Sequence, residues 1–526
     1  MSGRKEQFIT QITEGNTFKG SSLILGGAML DGECLPNTLV RVPLSTMNRH
    51  GLIAGATGSG KTKTLQILAE QLSKEGVPSL LMDIKGDLSG IAVASAGHPK
   101  IDERHARIGI PFTPGSSPVE FLSLSDEKGA RLRATVTEFG PVLFSKILGL
   151  NDTQSSIVAV VFKYCDDNKL PLLGLDDFKQ SLQYISNEGK EEIEKDYGVI
   201  STTSVGTIMR KIIELEQQDA SRFFGERSFD VDDLCRFDRN GRGMVSIIRL
   251  TDIQDKPKLF STFMLQMLAE IYSNFPEEGD VDKPKLVIFI DEAHLVFEEA
   301  SDALLDQIEV IVKLIRSKGV GLYFVTQNPA DIPDDVLGQL GLKIQHALRA
   351  FTAKDRKAIK LAAENYPLSD FYDVAQCVTE LGIGEALVTA LNEKGIPTPL
   401  AHTLLRAPES RMDVLTTQEI DAIISRSALI RKYNESIDPI SAREILEEKI
   451  AAAQEDSLRE EIQEQREKAR AVSRRKEKST IEKIISNPTT RQIGRTVARE
   501  LTRGLLGVLG ISSTARRTSS SSRKRR

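Results

Sequence analysis

The stretch GATGSGKT, from Gly55 to Thr62, constrains this chain more than any other eight residues. It fits G-x-x-x-x-G-K-[ST], in which glycines let the backbone wrap phosphates and aim amides at them. Gly55, Ala56, Thr57, Gly58, Ser59 and Gly60 form that cradle. Lys61 should reach the β/γ-phosphate oxygens, the Thr62 hydroxyl should hold Mg²⁺, and Lys63 follows among the nucleotide-binding positions. The flanks suit the motif. HGLIA reads as a short buried strand, and TKTLQILAEQLSKEG carries apolar residues at helical spacing. Strand, glycine turn and helix start are what phosphate binding at a helix N-terminus requires.

A second segment, KLVIFIDEAH (285–294), is an apolar run ending in two acids. Asp291 suits the Mg²⁺ shell, and Glu292 suits the general base that polarises an attacking water. That pair points to hydrolysis rather than binding alone. In SLLMDIKGDLSG (79–90), a strand-like run ends in Asp83, then Lys85, Gly86 and Asp87. Strand ends of open α/β sheets face the ligand crevice, which places Asp83 near the metal or the water. In LIRSKGVGLYFVTQNP (314–329), GLYFVTQ reads as a core strand with Gln327 at its end, where it can sense the γ-phosphate. Arg316 lies on a helix end before that strand, and Arg49 lies just before the HGLIA strand. Each is either an arginine finger acting on a neighbouring subunit or a surface charge. Arg349, at the end of KIQHALR, is a weaker candidate for the same role.

The rest of the chain bounds the setting. With 526 residues, 40% hydrophobic and 27% charged, it is long enough for two or more domains with a sizeable core. The longest apolar runs are strand-sized, well short of the roughly 20 residues of a membrane span. The N-terminal MSGRKEQFIT lacks an apolar signal core, so a cytoplasmic location is expected. Cys34, Cys165, Cys235 and Cys377 form no CxxC pair and read as reduced, buried thiols; the six histidines are dispersed, against a zinc site. The net charge of −5 is uneven: from Ser441 onward there are 21 Lys/Arg and 12 Asp/Glu. An acidic body with a basic tail permits an anionic partner at the tail.

The expected fold class is α/β: a RecA-like P-loop core with a mainly parallel sheet, an all-α insertion and a helical C-terminal tail. Residues 1–45 read as a short β preamble. The core's first part spans 46–125, with a strand expected at HARIGIPFTP (105–114). About 230 residues separate Lys61 from Asp291, more than a bare nucleotide-binding unit needs. The helical periodicity between 126 and 225 supplies the insertion. The core resumes over 226–410, with a strand at GMVSIIRL, a helix at DKPKLFSTFMLQMLAEIY, and paired strands near 384–405. A helical connector (411–440) leads to a charged helical tail (441–510). Ile493, Val497, Leu501, Leu505 and Leu509 recur there every four residues among arginines. That segment reads as docking onto the body or a neighbour, or as binding a membrane surface or nucleic acid. Residues 511–526 are expected to be a disordered basic tail.

Together HGLIAGATGSGKTKT, LLMDIKGDLSG, LVIFIDEAHLVF and IRSKGVGLYFVTQNPADIP resemble the HerA/FtsK superfamily of ring-forming, RecA-like ATPases that pump DNA or act in conjugation. The resemblance is nearest to HerA-like, YjgR-type bacterial proteins and runs over about 20–405 and much of the tail. It implies a homo-hexameric ring with ATP at subunit interfaces. Lys61, Thr62, Asp291 and Glu292 would then carry nucleotide chemistry, Gln327 would be the sensor, and Arg49 and Arg316 would be interface arginines. Only about 45 residues precede the phosphate-loop strand, which leaves little room for the N-terminal barrel by which HerA docks its nuclease. DEAH (291–294) is also a motif of superfamily-two helicases, but its distance from Lys61 is too great for them and no second RecA-like lobe follows.

Two functions remain open on the sequence. One is a hexameric ATPase that threads double-stranded DNA through a basic channel. The other is a regulatory or assembly ATPase whose nucleotide state controls protein partners. Polypeptide translocation is a variant of the first.

Overall fold

The computed structural model describes residues 2–252, 256–279, 281–297, 302–349, 352–435, 437 and 439–479. Contacts divide the chain into one compact unit through Glu448 and a second from Lys449. The first unit is built on a single twelve-stranded sheet.

The strands in chain order are β1 (Ser22–Leu30), β2 (Glu33–Pro43), β3 (Gly51–Ala54), β4 (Ser79–Asp83), β5 (Val119–Ser123), β6 (Ala130–Arg131), β7 (Val245–Arg249), β8 (Leu286–Ile290), β9 (Val320–Thr326), β10 (Leu342–Gln345), β11 (Glu385–Thr389) and β12 (Ala401–Leu405). Their spatial order is β2-β1-β12-β11-β10-β3-β9-β8-β4-β7-β5-β6. From β10 to β6 every neighbouring pair is parallel, whereas β2, β1, β12 and β11 add an antiparallel flank. The parallel strands are short and almost wholly buried, as LVIFI (β8) and VGLYFVT (β9) show. Such runs can be satisfied only where both faces are covered.

Helices supply the cover: α1 (Ser2–Gly15), α2 (Lys61–Lys74), α3 (Pro99–Ile108), α4 (Val136–Ile147), α5 (Asp152–Asp167), α6 (Leu175–Ser186), α7 (Lys190–Asp196), α8 (Thr202–Glu216), α9 (Pro257–Asn274), α10 (His294–Phe297) and α11 (Asp302–Ile315). In α2, Leu65, Leu68, Ala69 and Leu72 lie on one helical face and share a core with Ile53, Leu81, Val287, Val325 and Ile344. Each such buried leucine contributes about 1.5–3 kcal/mol. Helices α4 to α8 run consecutively between β6 and β7. Their packing is aromatic: Phe144 meets Phe178 at 4.8 Å between ring centroids, and Phe139 meets Phe224 at 5.1 Å.

Two local expectations are corrected. HARIGIPFTP does not form a strand: α3 covers its start and β5 begins only at Val119. His98 caps α3 by accepting from the Lys100 amide, Pro99 opens the first turn, and Gly109 closes it at φ 86°. Ile101, His105 and Ile108 give the buried face. The preamble also opens with a helix, α1, which drives Phe8 and Ile12 into the main core before the two long strands. Only Cys165 among the four cysteines is fully buried; the others are half-buried. After β12, helices at Thr417–Ile424 and Ala428–Tyr433 precede a 38-residue helix, Ala442–Ser479. From Lys449 to Lys468 this helix is exposed all round apart from Ile450, as its charged sequence requires. No described helix is long and apolar enough to cross a membrane. The Ile493–Leu509 repeat and the 511–526 tail lie outside the described residues.

His50 fastens the sheet at the end of β3 opposite the phosphate loop. Its Nδ1 accepts from the Leu322 amide of β9 at 3.0 Å, so its Nε2 donates to the Val312 carbonyl of α11 at 2.8 Å. Burial, aided by the charge of Arg316, pushes the imidazole down to about 4. Because that value is below the unfolded value near 6.5, the unfolded chain binds the extra proton first. Stability therefore falls as pH drops from about 6.5 towards 4. We expect His50→Asn to cost about 1–3 kcal/mol at pH 7.5 in urea unfolding, by leaving buried groups unpaired. The gap from wild type should narrow at pH 5, where the wild type bears the protonation cost; a pH-independent gap would contradict this reading.

Candidate functional site

Strand β3 lies between β9 and β10, with Ala54 level with Thr326 on one side and Gln345 on the other. The chain leaves β3 at Gly55 and enters α2 at Lys61. Gly55, Gly58 and Gly60 take φ of 153°, 77° and 112°, which turns the loop back above the sheet edge. The neighbouring strands hold it there. The Gly55 amide donates to Thr326, the Ala56 amide to Ala347, and Ser59 accepts from the Gly384 amide.

His346 packs under the loop and is fully buried. Its Nε2 is 2.9 Å from the Thr64 hydroxyl, and burial with the Lys61 charge pushes it down to about 3, so it is neutral. A methyl group on Gly55 would sit 2.5 Å from the His346 Cβ. His346 did not stand out in the sequence. Its only signal is its place directly after a strand that must lie beside β3.

The other candidates converge on the same sheet edge. Gln327 follows β9, and its Oε1 accepts from the Thr57 hydroxyl at 3.2 Å. Lys61 Nζ donates to the Gly55 and Ala56 carbonyls at 2.7 and 3.3 Å. Burial lowers its pKa, and the charge of Lys85 adds to that. Asp291 and Glu292 follow β8. Asp291 is buried; its Oδ1 accepts from the Glu292 amide at 3.0 Å, and its Oδ2 has no hydrogen-bond partner among the described residues. Burial, reinforced by the Glu292 charge, pushes Asp291 up to about 6. Glu292 has a left-handed backbone, φ 47°, rare for a side chain of this kind. It ion-pairs with Lys85, a residue two positions beyond β4.

Three expected roles are altered. Asp83 is engaged first in the backbone: its oxygens accept from the Asp87 and Leu88 amides at 3.0 and 3.2 Å and close the turn after β4. Burial pushes it up to about 7, with Asp87 and Asp291 adding in the same direction. Lys63 turns away from the loop and donates to the Met412 carbonyl at 2.5 Å. Arg349 donates to the Thr379 and Leu381 carbonyls and caps the helix they end.

Arg316 and Arg49 are not brought to this edge. Arg316 precedes β9 and Arg49 precedes β3, so both lie at the opposite ends of these strands. The seven residues of β9 put about 20 Å between Arg316 and Gln327. Arg316 is exposed, and Arg49 lines an open groove with Lys19, Lys283 and Lys394.

This arrangement can hold a triphosphate above the β3–α2 loop beside a carboxylate pair. Asp291 Oδ2, buried and without a partner, together with the Thr62 hydroxyl at the start of α2, fits a divalent cation.

Residues 30–514 match the family described as Helicase HerA-like C-terminal. A DNA double-strand break repair helicase HerA from Sulfolobus acidocaldarius is 22% identical over 73% of this chain and 70% of its own. Its counterpart from Saccharolobus solfataricus is 23% identical over 67% of this chain and 64% of its own. The chain thus spans about two thirds of the length of these relatives. Among solved structures, the plasmid coupling protein TrwB with a non-hydrolysable ATP analogue aligns at TM-score 0.49 and 14% identity, over 78% of this chain and 95% of that one.

The crowded contact between Gly55 and His346 gives a direct test. Gly55→Ala should weaken binding of a fluorescent ATP analogue at least about tenfold, about 1.4 kcal/mol, while leaving the far-ultraviolet spectrum unchanged. Unaltered affinity would mean that the loop does not need the observed conformation.

Proposed function

The chain belongs to the HerA-like helicase C-terminal family, and on that premise we propose that it is an ATP-hydrolysing ring motor of the HerA/FtsK type that moves on DNA. One observation carries the hydrolytic part of this reading: the glycine loop and the Asp291–Glu292 pair meet at one edge of the sheet, with Asp291 Oδ2 buried and unpartnered.

The roles follow from that geometry. The loop amides other than those of Gly55, Ala56 and Ser59, which are given to Thr326, Ala347 and Ala56, receive the phosphates at the head of α2, where the helix dipole favours negative charge. Lys61 exchanges its two loop carbonyls for phosphate oxygens. Thr62 and Asp291 would hold Mg²⁺, which would supply charge neutralisation at the phosphates. Glu292 takes a proton from water as the water oxygen bonds to the γ-phosphorus. The bond from that phosphorus to the bridging oxygen breaks, and its electron pair leaves with ADP. Gln327, held by Thr57, is placed to orient the water.

The remote positions of Arg316 and Arg49 support assembly. An arginine at the opposite strand ends cannot serve its own loop, but it can serve a neighbour's in a head-to-tail ring. We take a homo-hexamer as the assembly and double-stranded DNA as the cargo, held by sequence-independent phosphate contacts. The relatives from Sulfolobus acidocaldarius and Saccharolobus solfataricus are DNA double-strand break repair helicases, which favours this cargo. The net negative charge of residues 1–440 favours a second reading, in which the nucleotide state governs a protein partner instead.

Glu292→Gln should bind ATP within about threefold of wild type and hydrolyse it at least about 100-fold more slowly, as expected for loss of a general base. Lys61→Ala should lose high-affinity binding. Titration and phosphate release measured on both variants check this. Near-normal turnover in Glu292→Gln would remove Glu292 from the role of base.

A further inference from the structure

Both oxygens of Glu292 face basic side chains. Oε1 is ion-paired with Lys85 Nζ, and Oε2 lies 3.3 Å from His294 Nδ1. Among the described residues no other hydrogen-bond donor reaches either oxygen. The Glu292 side chain is 7% exposed, whereas Lys85 is 37% exposed and enters from the rim.

The platform under Lys85 is built. Strand β4 runs parallel to β8, with Met82 level with Ile290, so the turn after β4 stands directly beside Glu292. Asp83 fixes that turn through the Asp87 and Leu88 amides, and Gly86 bends it at φ 75°. A methyl group on Gly86 would press on Thr251 at 3.0 Å. The Lys85 backbone is therefore held, while its side chain is 37% exposed.

We propose that Lys85 is a positioning residue that restrains the general base: it clasps Glu292 in the conformation described, and an arriving γ-phosphate draws the ammonium away and frees the carboxylate. The chemistry favours this exchange. A carboxylate oxygen committed to an ammonium is a poor acceptor for a proton from water. A phosphate carries more charge than a carboxylate and competes well for a mobile lysine. Lys61 is the dedicated phosphate lysine of the loop; Lys85 answers to the carboxylate, and so it can couple nucleotide arrival to release of the base.

The inference rests on Glu292 being the base, and the experiment separates the two claims. Steady-state phosphate release is measured without nucleic acid on wild type, Lys85→Met, Lys85→Gln, Lys85→Arg, Glu292→Gln and the Lys85→Met/Glu292→Gln double variant. Lys85→Met and Lys85→Gln should each raise kcat threefold or more, with the KM for ATP within twofold. Lys85→Arg, which keeps the charge, should raise it less. The double variant should be as slow as Glu292→Gln alone. If either neutral variant binds ATP normally yet turns over at or below the wild-type rate, the restraint is overturned and Lys85 assists the site in another way. A merely structural lysine would lower kcat when lost, never raise it. Full turnover in Glu292→Gln alone would overturn the identity of the base, whatever Lys85 does.

Discussion

The site depends on one constraint: β3 is a four-residue strand pinned between two parallel neighbours, and its end must turn at once into α2. A parallel strand cannot return by a tight hairpin, so the chain has to rise over the sheet edge. Three glycines with positive φ make that rise, and the Thr326 carbonyl of β9, the Ala347 carbonyl after β10 and the Gly384 amide before β11 hold it. The same edge collects the ends of β4, β8 and β9, which is why acids and an amide distant in sequence meet there. Chemistry at this edge is thus a product of strand order.

Electrostatics sharpen the arrangement. Asp83 and Asp291 end adjacent parallel strands, and burial raises both. Amide hydrogen bonds satisfy Asp83 within the turn, which leaves Asp291 as the carboxylate with an oxygen to give. Lys85 offsets the buried charge of Glu292. Burial opposes the charge on Lys85, but its partners Glu292 and Asp291 outweigh that and raise its pKa. Lys61 therefore serves the loop carbonyls and Lys85 the carboxylate of Glu292. A polar cluster of this kind tolerates little rearrangement, because each buried member is costly once its partner leaves.

Much of this was legible in the sequence. The GATGSGKT loop, the strand ending in Asp291-Glu292 and the strand ending in Gln327 are local patterns, and local patterns survive without knowledge of neighbours. What escaped depends on pairing in space. Lys85 reads as an ordinary turn charge until β4 is known to lie beside β8. His346 becomes a prop for the loop only once β10 lies beside β3. Asp83 looked like a ligand because strand ends face the crevice, yet the following KGDL turn claims its oxygens. HARIGIPFTP looked like a strand from its alternating apolar residues, but His98, Pro99 and Gly109 supply a complete set of helix start and stop signals. The opening helix leaves little signal, because Phe8, Ile9 and Ile12 are its only large apolar residues.

The central claim is that this edge powers movement on duplex DNA. The most direct measurement is the steady-state rate of ATP hydrolysis with duplex DNA, single-stranded DNA, RNA or no polymer, at low and moderate salt. The account predicts strong stimulation by the duplex, weakening as salt screens the phosphate contacts. A rate indifferent to every nucleic acid would contradict it and would direct attention to protein partners.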